Sequence, residues 1–206
     1  MALQIKVCGM KDADNICELA KLPIDYIGFI FYNQSQRCVK QMPEVEIPTS
    51  IRKVGVFVNQ TVTEIQKKIK EAGLQLVQLH GAENPEICEQ VRHMGVQVIK
   101  AFGIHEDFDW EKLTQYSTHV DYFLFDTESK QYGGTGRTFD WEILKGYNLS
   151  TPYFLSGGLS TENIRSASLI TDNRLIGLDL NSRFEITPGL KNIKELQKAL
   201  NRIVYE

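Results

Sequence analysis

Ile5-Lys6-Val7-Cys8-Gly9-Met10 is a short apolar run that closes on a polar residue just where the chain turns into a loop. Tyr122-Phe123-Leu124-Phe125-Asp126-Thr127 repeats the arrangement in the second half of the chain. Further runs of this kind bring the strand candidates to 4–7, 26–31, 53–58, 76–79, 96–101, 122–125, 153–155 and 175–178. They are near-continuous rather than alternating, as strands covered on both faces must be. Helical patterns fall between them. The clearest is 63–72, with Ile65 and Ile69 four apart and Gly73 as its C-cap. A second, 85–94, follows Asn84 as N-cap with Pro85 in its first turn and stops before Gly95. Ser160-Thr161-Glu162-Asn163 opens another, and the last runs over 192–204 with Ile193, Leu196 and Leu200 on one stripe. The weakest helical pattern is Met42 to Pro48, which contains two prolines and little periodicity. Eight strands alternating with helices predict an α/β fold, a compact single-domain (β/α)8 TIM barrel over residues 1–206. A doubly wound open sheet is the rival, but no G-x-G-x-x-G follows the first strand.

The composition agrees with such a domain. Hydrophobic residues make up 42% and charged residues 24% of the 206, ordinary values for a globular chain with a sizeable core. A net charge of -3 offers no footprint for nucleic acid. No apolar run approaches the roughly 20 residues that span a bilayer, and no secretory signal is visible. Cys8, Cys17, Cys38 and Cys88 form neither a C-x-x-C pair nor a zinc-spaced cluster with histidine, so reduced thiols and a cytoplasmic location are expected. The expected partner is a small phosphorylated molecule, with no nucleic acid and no membrane, and the chain is expected to be a monomer or homodimer.

In a closed parallel barrel, catalytic side chains sit at the C-terminal ends of strands. Cys8 and Asp126 both occupy that position, where a thiol and a carboxyl across one pocket form a base and an acid. Two bland alternatives stand beside this reading: a small buried hydrophobe for the cysteine and a turn residue for the aspartate. A thiolate base calls for a thiol below its free value of about 8.5, and an acid calls for a carboxyl raised by apolar walls or a like charge. Strand parity turns Lys6 and Gln4 to the same side as Cys8, and Ile5 and Val7 outward. It likewise pairs Gly177 with an inward Asp179. A charged interior is costly unless the charges pair.

Two late loops suit an anion. Leu155-Ser156-Gly157-Gly158-Leu159 leads from the seventh strand, and Asp179-Leu180-Asn181-Ser182-Arg183 from the eighth, where barrels often grip phosphate. Gly157, Gly158, Asn181 and Ser182 are the candidates. Arg37, in the loop after the second strand, has the planar fork that holds a carboxylate. His80 ends the fourth strand, either polarising a substrate or bonding within the wall. The glycine-rich stretch with Gly133, Gly134, Thr135 and Gly136 is long for a connection of this type and reads as a lid or as a plain surface loop. No rim cluster has metal-ligand spacing, and His93, His105 and His119 fall away from strand ends; no metal is expected.

Taken in order, these segments resemble the phosphoribosylanthranilate isomerase family: Lys6-Val7-Cys8-Gly9; Gly28-Phe29-Ile30-Phe31 with Ser35 and Arg37; Gly55-Val56-Phe57-Val58; Gln78-Leu79-His80-Gly81; Asp126; Gly133-Gly134-Thr135-Gly136 with Phe139 and Trp141; Gly157-Gly158-Leu159 with Glu162-Asn163; and Gly177-Leu178-Asp179 through Ser182, Glu185, Pro188 and Gly189. The resemblance spans nearly the whole chain. It implies a cofactor-free Amadori rearrangement of N-(5'-phosphoribosyl)anthranilate in tryptophan biosynthesis. Asp126 would be the general acid and Cys8 the general base. Arg37 would hold the anthranilate carboxylate, and Asp179 would lie near the anthranilate amine. The chain departs from the family pattern at Arg183, where glycine is usual, and at Asn192, where aspartate is usual. Either the first strains a left-handed position or Arg183 adds charge to the phosphate site; the second leaves a competent helix cap.

Three other functions are weighed against this one. A histidine-pathway isomerase uses paired aspartates, against Cys8. A metal-dependent sugar-phosphate epimerase needs rim ligands. A non-catalytic barrel binding a phosphorylated metabolite has no use for an acid–base pair.

Overall fold

The computed structural model describes residues 3–127 and 140–204. Eight parallel strands close into a barrel in sequence order. They are β1 (Gln4–Cys8), β2 (Tyr26–Ile30), β3 (Arg52–Phe57), β4 (Leu76–Leu79), β5 (Gln97–Ile104), β6 (Tyr122–Thr127), β7 (Tyr153–Leu155) and β8 (Leu175–Leu180). The β1–β8 seam sets Lys6 opposite Asp179, so closure itself brings a cation to a carboxylate. β5 continues to Ile104, three residues beyond the apolar run at 96–101 that marks it in the sequence. His105 therefore follows a strand end directly, contrary to the expectation above, although it packs against Phe108 and does not line the mouth.

Alternation along the strands sorts the core into two layers. Ile5, Val7 and Leu178 belong to the large cluster between barrel and outer shell, whereas Tyr26, Val54, Leu76, Ile99, Ala101, Leu124 and Phe154 fill the barrel. The bottom is a bonded polar ring. Tyr26 donates to Gln4 at 2.8 Å, Arg52 donates to Tyr26 and, at 2.8 Å, to Gln97, and Gln97 donates to Tyr122 at 3.0 Å. Every member has a partner, so the end opposite the mouth is sealed without orphaned polar groups.

The outer shell is thinner than eight full helices. α1 (Ala13–Leu19), α2 (Val62–Ala72), α3 (Pro85–Arg92), α4 (Ile164–Ser168) and α5 (Ile193–Leu200) are its α-helices among the described residues. α2 has both expected ends: a reciprocal capping box between Thr61 and Glu64, and Gly73 at φ 58°. Asn84 caps α3 and Asn192 caps α5 through side-chain acceptors. Residues 31–51 carry no helix, as the prolines in that stretch dictate. After β5 and β6 the chain makes only 3-10 turns, Trp110–Tyr116 and Trp141–Gly146. There Phe125 packs on Tyr153 at 4.9 Å, on Tyr147 at 5.1 Å and on Trp110 at 5.2 Å between ring centres. Large rings cover the sheet where longer helices would otherwise bury it. The helix expected from Ser160 starts only at Ile164, because the Asn163 side chain ties the preceding turn, accepting from Ser160 N–H at 2.8 Å and donating to Gly158 C=O at 3.1 Å. After β8, a 3-10 turn (Ser182–Phe184) leads into an antiparallel ribbon, β9 (Glu185–Thr187) and β10 (Leu190–Lys191).

Candidate active site

The C-terminal mouth holds a pocket whose walls include Cys8, Arg37, His80, Asp126, Gly157, Gly158, Asp179, Asn181 and Ser182. These residues from six of the eight βα units thus converge, at strand ends or in the loops that follow them. Gly133, Gly134, Thr135 and Gly136 lie outside the described residues. Among the described residues no group of three or more His, Cys, Asp or Glu is disposed to hold a metal ion.

Cys8 is buried at the end of β1. Two residues earlier, Lys6 donates to Asp179 Oδ1 at 2.8 Å with both side chains buried. Burial favours the neutral amine, but Asp179 and the adjacent Cys8 hold Lys6 above the ordinary lysine value. The thiol differs from the expectation of a lowered value. Burial pushes it up and Asp179 adds to this, while Lys6 and Lys191 oppose it without overcoming it. The reason is tertiary: the strand end lies inside a closed mouth, where taking charge out of water outweighs two nearby ammonium groups.

Asp126 faces the opposite situation. Oδ1 accepts from Thr127 N–H at 2.8 Å, and Oδ2 lies 3.7 Å from His80 Nε2. Burial, then the Asp179 charge, raises the carboxyl to about 7 against the opposing Thr127 N–H and Lys6. This is the upward displacement expected for an acid. His80 is no ion-pair partner for it: burial, Lys100 and Lys6 depress the imidazole to about 3, so it is neutral at ordinary pH. Gln78 Nε2 lies 2.7 Å from His80 Nδ1. With that amide orientation the ring proton sits on Nε2, toward Asp126. Gln78 Oε1, on the same wall, is buried without a protein partner among the described residues. Beneath His80, Lys100 Nζ donates to Glu83 Oε2 at 3.1 Å and to Gly81 C=O at 2.7 Å, anchoring the loop after β4.

Gly157 explains how the loop after β7 comes so close to Asp126. Its φ is +88°, and a Cβ there would press on Thr127 and meet Asp126 Oδ1 at 3.0 Å. Only glycine fits both the left-handed conformation and the close approach. Gly158, Asn181 and Ser182 share this wall with Arg183. Arg183 lies in the 3-10 turn, and among the described residues Asn59 is the only non-glycine with positive φ, so the strain considered for Arg183 is absent.

Arg37 lines the pocket but is not an unengaged fork. Its Nε donates to Glu185 Oε1 at 2.9 Å and Oε2 at 3.0 Å, and its Nη2 to Oε2 at 2.7 Å. Sequence reading named Glu185 only within the family pattern and missed this pairing, as it missed the burial of Lys191 and Asn15 beside it. Nothing local marks a contact across 148 positions.

The family model described as N-(5'phosphoribosyl)anthranilate (PRA) isomerase matches residues 5–202. The chain is 46% identical over 206 residues to N-(5'-phosphoribosyl)anthranilate isomerase of Parabacteroides distasonis, covering 98% of this chain and 93% of that one. It superposes on the crystal structure of phosphoribosyl anthranilate isomerase from Thermotoga maritima with a TM-score of 0.85 at 32% identity, covering 97% and 98% of the two chains. A phosphoribosyl anthranilate isomerase in complex with reduced 1-(o-carboxyphenylamino)-1-deoxyribulose 5-phosphate gives a TM-score of 0.82 at 30% identity, covering 97% of each chain.

Proposed function

The chain belongs to the N-(5'-phosphoribosyl)anthranilate isomerase family and is an isomerase of tryptophan biosynthesis, and we propose that its whole length, 1–206, forms one catalytic barrel in which Asp126 and Cys8 carry the proton transfers. The reaction is the Amadori rearrangement of N-(5'-phosphoribosyl)anthranilate to 1-(2-carboxyphenylamino)-1-deoxyribulose 5-phosphate. Asp126 gives its proton to the ribose ring oxygen as the C1'–O bond breaks, leaving a Schiff base between C1' and the anthranilate nitrogen. The Cys8 thiolate takes the proton from C2', and the resulting enolamine tautomerises to the ketone. Neutral His80, with its N–H toward Asp126, leaves the acid protonated, which an imidazolium would not.

The observation that supports this reading best is the contrast of environments. A carboxyl displaced to about 7 faces a thiol flanked by two ammonium groups in one pocket. In the same reading the phosphate lies against Gly157, Gly158, Asn181 and Ser182, and Arg37 holds the anthranilate carboxylate with Asp179 near the amine. The ligand is a small phosphorylated molecule, not nucleic acid or a membrane; the chain acts without a cofactor in the cytoplasm, as a monomer or homodimer. Among the described residues no helix is long and apolar enough to cross a membrane.

The test follows loss of the fluorescent anthranilate adduct with purified protein, before and after exhaustive chelation. Wild-type turnover should survive chelation, and Cys8→Ala and Asp126→Asn should each lose it while still binding substrate. Activity restored only by a divalent metal would favour an epimerase-like site. Binding without turnover in the wild type would make the barrel a metabolite binder.

A further inference from the structure

The proton-transfer scheme leaves a set of buried polar side chains without a role. Lys191 is 1% exposed, and its Nζ donates to Asn181 Oδ1 and to Glu185 Oε1, each at 2.7 Å. Glu185 in turn engages Arg37 with both oxygens, and its Oε1 also accepts from Gly189 N–H at 3.0 Å. The Lys191 backbone is clasped from the other side. Its N–H donates to Asn15 Oδ1 at 2.7 Å, and its C=O accepts from Asn15 Nδ2 at 2.9 Å. Asn15 lies on α1, so this clasp fastens the ribbon that follows β8 to the helix that follows β1. Arg37, Asn181 and Lys191 all crowd the face of Gly9. At φ +81°, a Cβ on Gly9 would meet Arg37 Cδ at 2.8 Å, Asn181 Oδ1 at 2.9 Å and Lys191 Nζ at 3.6 Å.

A buried ammonium is expensive, and apolar packing of similar volume would hold a ribbon as well or better. What apolar packing cannot do is fix two polar groups at once. Asn181 and Arg37 both line the pocket, and in the reading above one serves the phosphate end of the ligand and the other its aryl end. We propose that Lys191 is a positioning residue that couples those ends: one ammonium sets Asn181 for the phosphate and, through Glu185, sets Arg37 for the aryl carboxylate. The inference rests on the assignment of the two ends given above. It makes substrate binding at one end depend on the same cation as binding at the other. A ribbon clip of purely structural purpose would lower stability and leave both ends alike.

Two fragments separate these possibilities: inorganic phosphate and anthranilate, each as a competitive inhibitor of isomerisation. In Lys191→Met both inhibition constants should rise about ten-fold, the loss of one charge-assisted contact at each end, and KM should rise while kcat falls less. In Glu185→Gln only the anthranilate constant should rise. Lys191→Gln, which keeps a donor and much of the volume, must show the same double loss and serves if Lys191→Met does not fold. A Lys191 variant that folds, by near-ultraviolet circular dichroism, yet keeps either constant at its wild-type value overturns the coupling. Wild-type protein insensitive to one fragment overturns the assignment of that end, and the coupling with it. Wild-type sensitivity to both, with no change in the variants, overturns the coupling alone.

Discussion

The two aspartates of the mouth line one pocket from strands separated by β7, and their surroundings differ. On the β1–β8 side Asp179 has an ammonium at 2.8 Å, and the adjoining cysteine lies between two lysines. On the β4–β6 side Asp126 has a backbone N–H, a neutral imidazole 3.7 Å away and no ammonium within bonding distance among the described residues. Residue type is the same, and position at a strand end is the same. Burial raises both carboxyls, but only Asp179 has an ammonium at hydrogen-bond distance to oppose it. A site that must donate a proton on one side and accept one on the other gains from such an asymmetry, because each group is tuned by its own neighbours.

Removing either working group should break the asymmetry outright. Cys8→Ala and Asp126→Asn should each lower kcat by about 10²–10⁴-fold or more; near-wild-type kcat in either variant would sink that residue's role. Next in size, Lys6→Met should leave Asp179 buried and unpaired. The expected cost is about 3–5 kcal/mol of unfolding free energy, read from urea denaturation, and Lys6→Met/Asp179→Leu should recover part of it. Unchanged stability in the single variant would mean that the pair is not an ion pair.

The acid side carries a cost of its own. Asp126 titrates at about 7 when folded and at about 3.9 when unfolded, so folding takes up a proton between those values. Keeping the charged form buried costs nothing below about pH 4 and, above about pH 7, on the order of 4 kcal/mol. Asp126→Asn should therefore be more stable than wild type at pH 8, and the advantage should vanish near pH 4. An Asn variant less stable at pH 8 would place the carboxylate in a favourable environment and remove the basis for its acidity. Smaller again is the Arg37 effect. Arg37→Ala should raise KM about ten-fold, and Arg37→Lys should rescue only part, because Glu185 receives a planar fork that an ammonium does not reproduce. The penalty should shrink on a substrate analogue lacking the aryl carboxylate; an equal penalty would mean that Arg37 only shapes the loop after β2.

The finest comparison is of the two titrations. With Asp126 at about 7 and the Cys8 thiol above its ordinary value, the proposed combination of protonated acid and thiolate is a minor form of the singly deprotonated pair. Its share is constant between the two values, so kcat/KM should rise through about pH 7 and fall only above the thiol value. Alkylation of Cys8 should show a midpoint above that of a free thiol. A rate that falls through pH 7, with alkylation complete there, would restore the lowered thiol that the residues around Cys8 suggest when read in sequence alone.

What the sequence determined by itself was whatever depends on neighbours along the chain. Continuous apolar runs placed all eight strands, β4 and β7 to the residue. Cap chemistry placed Gly73, Asn84 and Asn192, and the ends of β1 and β6 placed Cys8 and Asp126 at the mouth. Tertiary structure decided everything that depends on partners far away in the chain. Lys6 meets Asp179 across 173 positions and Arg37 meets Glu185 across 148. Burial reversed the expected direction for the thiol, and aromatic packing replaced helices beside β5 and β6 with 3-10 turns. Periodicity and capping are settled within a few residues, whereas the energy of a charge is settled by the dielectric and the charges around it, which exist only once the barrel has closed.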